Sequence, residues 1–432
     1  MEIFFDILEK YFIHLKKNKL ESDVLLLRQL SFPKGDYLMI FPNITIHREL
    51  TDSEILVYLL ALIPHIRPQF FDSLLPPKGN FPQLGGIRGK HHRGFLPTGE
   101  TALFLLAGDD LQKRFEAQQL FGPDHFFAKE RILWLAAPEK NEPPMSGQIV
   151  MNPEYVELFT TGNASLPKFS MEFPAERLET RMEWEDLVLP TETRQQIDEL
   201  HIWLQQHETL MKDWGLGKRL KPGYRALFYG PPGTGKTLTA TLLGKAFDLP
   251  VFRIDLSMVV SKYIGETEKN LSNLFARAEG KQWILFFDEA DALFGKRTNV
   301  RDAHDKYANQ EVAYLLQRVE HYNGLVILAS NFKSNIDEAF VRRFQSIIHF
   351  PIPGTAERHK LWEDALPDRL RLAADLDLSQ IARQYELSGS SIVNVVQYCC
   401  LQALGKESDC LSQAQLLNGI HREYAKEGKA VM

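Results

Sequence analysis

A chain of 432 residues, 44% of them hydrophobic, has enough apolar surface for two or three cored domains, which excludes a disordered protein. Its 50 Lys and Arg against 56 Asp and Glu leave a net charge of −6, which argues against a globally basic nucleic-acid binder but leaves room for a local basic patch. The 3 cysteines, Cys399, Cys400 and Cys410, suit a reduced, cytoplasmic setting, Met1–Asp6 lacks the basic region and cleavage site of a secretory signal, and the apolar runs 55–63 and 101–107 are too short to span a bilayer.

Residues 1–175 read as a separate α+β region. Phe4–Lys16 has helical apolar spacing, and Thr51-Asp-Ser-Glu54 is a capping box opening a helix that runs towards Pro64. The stretch Leu84–Gly94 is a glycine-rich basic loop. It suits an anionic partner, phosphate or nucleic acid, or a protein partner; its adjacent His91 and His92 have no acid or cysteine at ligand spacing. A helix over 99–115 is expected next. The runs 131–136 and 147–151 then read as a β-hairpin joined by a Pro-rich stretch, and Asn152 starts a short helix. Helices followed by a hairpin suggest a winged-helix-like domain.

After a linker over 162–175, the chain alternates strands and helices from Met182 to about Phe350, the pattern of a parallel sheet in a three-layer α/β domain. Strands are expected at 226–229, 251–255, 284–288, 325–330 and 346–350. The first leads into Gly230, Pro231, Pro232, Gly233, Thr234, Gly235, Lys236 and Thr237, which fits G-x-x-x-x-G-K-[ST], and Leu238 opens a helix behind it. The glycines let backbone N–H groups approach phosphate oxygens, Lys236 offers a charge to the β- and γ-phosphates, and the Thr237 hydroxyl can ligate Mg²⁺. Asp288 and Glu289 end the apolar run 284–287. Asp288 can hold Mg²⁺ and Glu289 can deprotonate an attacking water; the plain alternative is two surface carboxylates. Asn331, ending the next strand, can bridge the γ-phosphate and that water, or merely start a turn. Past Pro351-Ile-Pro353 no strand signal remains, and helices are expected at 355–366, 378–385, 390–404 and 412–425. The boundaries read as 1–175 for the N-terminal region, 176–352 for a nucleotide-binding domain and 353–432 for a helical lid.

This order of phosphate loop, Asp-Glu strand, strand-end Asn and helical lid resembles the AAA+ ATPases. The resemblance covers about 182–425 and implies ATP and Mg²⁺ as ligands, a P-loop fold, ATP hydrolysis and a homo-oligomeric ring, commonly a hexamer. Asp337–Phe344 resembles the family's arginine-finger segment. It implies that Arg342 or Arg343 reaches the phosphate bound by a neighbouring subunit, the spacing leaving open which is the main finger. Ser261–Glu268 resembles the central-pore loop of the branch that holds katanin, spastin and the membrane-fusion and segregase ATPases. There Lys262, Tyr263 and Ile264 would grip a polypeptide; a core role for Tyr263 is the alternative. Trp184–Val188 is similar to the leading segment that passes the adenine, with Asp186 and Leu187 as the nearest matches. Leu387–Asn394, with Gly389, resembles the lid segment that closes over the nucleotide, without the Arg many other AAA+ branches carry there. The charged segment 295–306, with Arg297, Arg301 and His304, sits where the family has a second pore loop, or is a solvated loop. By the same resemblance the N-terminal region binds a protein substrate or adaptor. It also looks like regions of bacterial ATPases associated with contractile, phage-tail-like injection particles. The implied activity is protein remodelling, with nucleic-acid remodelling or an ATP-gated scaffold as the alternatives.

Overall fold

A computed structural model describes residues 6, 9–10, 50–71, 84–89, 91–92, 94–163, 165–170, 173–259, 266–290, 303–331, 341–374 and 376–428. Several expected features lie outside these residues: most of the helix over 4–16, the loop with Lys262, Tyr263 and Ile264, and the segment with Arg297 and Arg301, along with the side chain of His304. The chain divides into two compact units, Met1–Leu166 and Pro167–Met432.

In the first unit, α1 (Asp52–Ile66) opens on its capping box. The Glu54 N–H donates to Thr51 Oγ1 at 3.3 Å and the Thr51 N–H donates back to the Glu54 carboxylate at 2.7 Å. The helix runs through Pro64 to Ile66 instead of stopping at the proline, because so near the C-terminus the missing N–H costs a single intrahelical bond. Glu54 is buried, and His125 Nε2 lies 3.1 Å from its second oxygen, so the carboxylate enters the core with partners. Strands β1 (Ile87–Arg88) and β2 (Phe95–Leu96) pair antiparallel. The expected single helix over 99–115 is two, α2 (Gly99–Ala107) and α3 (Leu111–Gln118). Gly108, at φ +53°, ends the first, and the Asp110 carboxylate caps the second by accepting the Lys113 N–H at 3.2 Å. After α4 (Phe126–Lys129), β3 (Leu133–Leu135) and β4 (Ile149–Met151) form the expected antiparallel pair, with Leu133 opposite Met151 and Thr98 bridging to Gln148. Helix α5 (Pro153–Thr161) follows its Asn152 cap. Ile55, Leu59, Phe71, Phe104, Phe127 and Ile149 belong to the core of this unit.

The second unit is built on a six-stranded sheet whose strands lie side by side in the order Ser346–His349, Tyr224–Tyr229, Leu325–Ser330, Ile284–Phe287, Val251–Ile254 and Ala175–Leu178. In chain order its elements begin with β5 (Ala175–Leu178), α6 (Thr191–Lys212), β6 (Tyr224–Tyr229), α7 (Lys236–Ala246) and β7 (Val251–Ile254). Next come α8 (Leu256–Val259), α9 (Glu266–Ala278), β8 (Ile284–Phe287), α10 (Ala303–His321), β9 (Leu325–Ser330) and β10 (Ser346–His349). All five expected strands are present, and they pair parallel. The sixth, β5, begins at the last residue of the expected linker, where no strand is expected, and pairs antiparallel with β7, where Arg253 reaches Glu176 at 2.7 Å.

Helices cover both faces of the sheet. Ile197 and Leu200 of α6 and Ala240 and Leu243 of α7 pack with alternate strand residues such as Phe228, Phe286 and Ile327. On the opposite face Phe275 of α9 stacks near Phe287, with ring centroids 6.5 Å apart. The fold is therefore an α/β P-loop domain with a mostly parallel sheet.

The remaining residues form a cluster of their own around Trp362, Ile381, Ile392, Cys399 and Leu416. It is built from α11 (Thr355–Ala365), α12 (Leu378–Gln384), α13 (Gly389–Gly405) and α14 (Gln413–Lys426), within a residue or so of the expected helices. A short parallel pair corrects the expectation of no strand here: β11 (Arg371–Leu372) lies beside β12 (Cys410–Leu411). Among the described residues no helix is long and apolar enough to cross a membrane.

Candidate active site

Three adjacent parallel strands deliver the candidate chemistry to one edge of the sheet. In β6, β9 and β8, Tyr229 lies opposite Ser330 and Phe287 opposite Leu328. The residues that follow, Gly230, Asn331 and Asp288, thus leave the same C-terminal edge, where open α/β sheets bind ligands. Backbone bonds fasten this edge: the Gly230 N–H donates to the Ser330 carbonyl at 3.2 Å and the Ala290 N–H to the Ala329 carbonyl at 2.8 Å. Phosphate loop and acidic turn are both tied to β9, the strand that ends before Asn331.

The phosphate loop is shaped by its backbone. Gly230 has φ +147°, and a Cβ there would stand 2.0 Å from the Phe350 carbonyl oxygen, so no other residue fits without displacing the chain after β10. Thr234 Oγ1 donates to the Pro231 carbonyl at 2.9 Å and closes the loop on itself. Lys236, the first residue of α7, is 8% exposed, and its ammonium donates to the carbonyls of Gly230 at 2.6 Å and Pro231 at 2.9 Å. A buried ammonium needs such partners, and these carbonyls hold it inside the loop. Thr237 and Leu238 are half-buried in the same first turn. The donor set fits a magnesium triphosphate: a helix N-terminus, an ammonium, a hydroxyl, and a carboxylate from the end of β8, two strands away from β6.

That carboxylate is Asp288, half-buried, which accepts the Glu289 N–H at 3.0 Å through Oδ1. Glu289 is exposed and has φ +49°. A left-handed conformation costs an ordinary L-residue about 1–2 kcal/mol, and strain of this kind gathers where a side chain must be aimed. Nothing in the run from Ile284 to Asp291 announces it.

The helical cluster after the sheet touches the loop directly. The Ser390 N–H donates to the Gly233 carbonyl at 3.2 Å, and a Cβ on Gly389 would lie 3.4 Å from the same oxygen. Sequence reasoning singled out Gly389 but passed over the hydroxyls around it. Ser388 lies 3.1 Å from Ser390 and 2.9 Å from Ser391, which donates to Glu427 at 3.0 Å. On the other side, Trp184–Asp186 is a single 3-10 turn. The Asp186 carboxylate caps that turn by accepting the Glu183 N–H at 2.7 Å, while the buried Leu187 has its Cδ1 3.2 Å from where a Cβ on Gly235 would stand. Leu187 is thus packed on the phosphate loop, and the Asp186 side chain serves its own turn.

Arg342 and Arg343 are not part of this edge. The Gln345 N–H donates to the Arg225 carbonyl at 3.0 Å, and Ser346 lies opposite Ala226, so the pair sits level with the start of β6. The six residues of β6 separate that level from Gly230, which at strand spacing is about 20 Å. Arg343 Nη1 forms an ion pair with Glu320 Oε1 at 2.8 Å, and Arg342 is exposed. In the first unit, His91 is exposed and the half-buried His92 has its Nε2 out of solvent with no hydrogen-bond partner among the described residues; Lys90 and Arg93 lie outside those residues.

Fold and site together define a P-loop nucleoside-triphosphatase domain. Residues 226–352, from β6 to the end of the sheet, match the family described as "ATPase family associated with various cellular activities (AAA)", so the chain carries an AAA ATPase domain. Similar proteins include the peroxisomal ATPase PEX6 of Yarrowia lipolytica, 31% identical over 212 residues, 46% of this chain and 21% of that protein. The proteasome-activating nucleotidase of Methanopyrus kandleri is 30% identical over 216 residues, 48% of this chain and 49% of that one. The ATP-dependent zinc metalloprotease FtsH 3 of Sphaerobacter thermophilus is 31% identical over 242 residues, 54% of this chain and 48% of that one. The chain thus spans between about a fifth and a half of the length of these relatives.

Proposed function

We propose that this protein hydrolyses Mg-ATP at sites shared between copies in a ring, and uses the cycle to remodel a protein partner. The observation that carries the reading is the common C-terminal edge of β6, β9 and β8, which gathers Lys236, Asn331, Asp288 and Glu289. Lys236 and the N-terminus of α7 bind the triphosphate and orient it. Thr237 and Asp288 would hold Mg²⁺, which would supply charge neutralisation at the triphosphate. Glu289 accepts the proton of the attacking water, and Asn331 orients that water against the γ-phosphate. Leu187 packs beneath the base, and the contact of Ser390 with Gly233 couples the lid to the state of the loop.

Two of the relatives are named for work on proteins, a proteasome-activating nucleotidase and an ATP-dependent metalloprotease, which supports a protein substrate. In this reading six copies form the ring in the cytoplasm, Tyr263 with Lys262 and Ile264 grips the substrate at the centre, and residues 1–175 recognise a substrate or adaptor. Residues 176–352 form the large ATPase domain and 353–432 the lid.

The test is Glu289→Gln. It should bind ATP within a few-fold of wild type yet lower kcat by about 10²–10⁴-fold, as expected for loss of a general base. ATP turnover close to wild type would remove Glu289 from its role. Stimulation by unfolded polypeptide and not by DNA is expected; the reverse result would move the substrate assignment to nucleic acid.

A further inference from the structure

Among the described residues Arg358 is a buried cation whose partners are all uncharged. It is 7% exposed and stands in the first turn of α11. Its Nε donates to the Ala382 carbonyl at 2.8 Å, its Nη1 to the Pro353 carbonyl, and its Nη2 to Thr355 Oγ1 at 3.4 Å. Burial penalises the charge, and the N-terminal end of a helix is itself positive, so neither ion pairing nor the helix accounts for an arginine here. The shape of the fork does. Ala382 lies in the last turn of α12, where carbonyls lack intrahelical partners and a cation is favoured. The Glu386 N–H, which would bond that carbonyl in a longer helix, goes to the Tyr424 hydroxyl at 2.8 Å. Pro353 lies between β10 and α11. One planar group thus joins the exit of the sheet to the end of α12.

Both joined points lead to the phosphate loop. Shortly before Pro353, the Phe350 N–H donates to the Tyr229 carbonyl at 2.8 Å, and the Phe350 carbonyl is the one that a Cβ on Gly230 would strike. Shortly after Ala382, Ser388 caps α13, and the Ser390 N–H meets the Gly233 carbonyl. The fit there is close: a Cβ on Gly233 would stand 1.9 Å from Ser390 Oγ and 2.8 Å from Ser388 Oγ. Leu361 of α11 supports the same turn, its methyl carbons 3.8 Å from where a Cβ on Gly389 would lie. Gly230, Phe350, Pro353, Arg358, Ala382, Ser390 and Gly233 therefore close a ring of contacts, with the phosphate loop on one side and the guanidinium on the other.

Resting on the reading that Gly230–Thr237 binds the triphosphate, we propose that Arg358 is a positioning residue for ATP. It fixes the spacing between the Phe350 and Ser390 contacts and so holds the phosphate loop at the width the nucleotide needs. Its fork faces carbonyls, and it acts through them. Asp288, Glu289 and Asn331 enter from β8 and β9, outside this ring, so ATP affinity depends on Arg358 while the rate at saturation does not.

The test uses the full chain, with kcat, KM for ATP, calorimetric ATP affinity and denaturant unfolding as readouts. Arg358→Lys keeps the charge but cannot span two carbonyls and a hydroxyl. It should raise KM and weaken ATP binding by about 10- to 100-fold, the range for lost hydrogen bonds to a charged group, with kcat at saturation within about 3-fold of wild type. Thr355→Ala, at an exposed position, removes a single acceptor; it should fold as wild type does and raise KM by about 2- to 5-fold. Leu416→Ala is the control for a merely structural role. Leu416 is buried in the same helical cluster but outside the ring, so the variant should lose stability with KM within about 3-fold of wild type. Ser390→Pro lacks the N–H given to Gly233. Combined with Arg358→Lys it should raise KM no further than the more affected single variant, because either change opens the ring. An unchanged KM in Arg358→Lys or Thr355→Ala, a kcat loss as large as the KM rise, an equal KM rise in Leu416→Ala, or additive losses in the double variant would overturn the assignment. Unaltered ATP binding in Lys236→Ala would instead overturn the phosphate-loop reading, and the role of Arg358 with it.

Discussion

The two ends of the central sheet are built by different means. At the C-terminal edge the backbone does the shaping: Gly230 under the Phe350 carbonyl, Lys236 held by two carbonyls, and the acidic turn tied to β9 by Ala290. At the N-terminal edge side-chain charges do it, with Lys221 and Arg343 converging on Glu320 while Arg225 bonds its carbonyl oxygen. A site that must follow the contour of a triphosphate is best formed by N–H groups fixed by covalent geometry. A segment that must present one side chain outward can be held by a few ion pairs. The first edge should therefore tolerate almost no substitution, and the second should yield gradually and in a pH-dependent way.

The largest effect is expected at the glycine loop. Gly230→Ala must shift either the loop or the chain at Phe350, and should cost about 2–4 kcal/mol in denaturant unfolding while abolishing detectable ATP binding in calorimetry. Retained binding would mean that the edge is more pliable than its contacts imply. A subtler probe is Glu289→Gly. Relief of the left-handed backbone is worth about 1–2 kcal/mol and the greater freedom of unfolded glycine removes about 0.4–1 kcal/mol. The variant should match or exceed wild type in stability, by up to about 1.6 kcal/mol, while losing turnover. Loss of stability instead would show that the Glu289 conformation carries no strain.

At the other edge the expected effect is one of stability. Glu320→Gln should lower stability by about 1 kcal/mol near neutral pH, modest because Lys221 and Arg343 are partly exposed. Burial alone would push the Glu320 carboxyl up, but the bond from Lys221 and the charges of Arg343, Lys221 and Arg225 outweigh it and hold the group below its usual value of 4.5. A carboxyl held low in the folded state stabilises above its unfolded value and loses that contribution as pH falls through the folded one. The gap between wild type and Glu320→Gln should thus be full above about pH 4.5 and close below it. A gap independent of pH would assign Glu320 a packing role.

Legibility in the sequence followed the same division. The parallel strands read clearly because strands buried on both faces become continuous apolar runs, as in Ile284–Phe287 and Leu325–Ser330. The edge strand β5, Ala-Glu-Arg-Leu, has no such run, since its middle residues face solvent, where Glu176 pairs with Arg253 and Arg177 with Glu179. The break between α2 and α3 was signalled by Gly108 and the Asp110 cap, but the apolar run through 101–107 outweighed them. Helix α1 passed its proline because the break fell in the last turn.

By itself the sequence determined that a phosphate loop, an acidic pair, a strand-end Asn and a helical lid exist in one order, because each is a local pattern whose chemistry depends on near neighbours in the chain. Only the tertiary structure decided the positive φ of Glu289, the touch of Ser390 on Gly233, and the capture of Arg343 by Glu320. Those depend on which strands lie side by side and where each ends. A charge pair between residues far apart in the chain leaves no periodic trace in either segment, so its existence is a property of the fold.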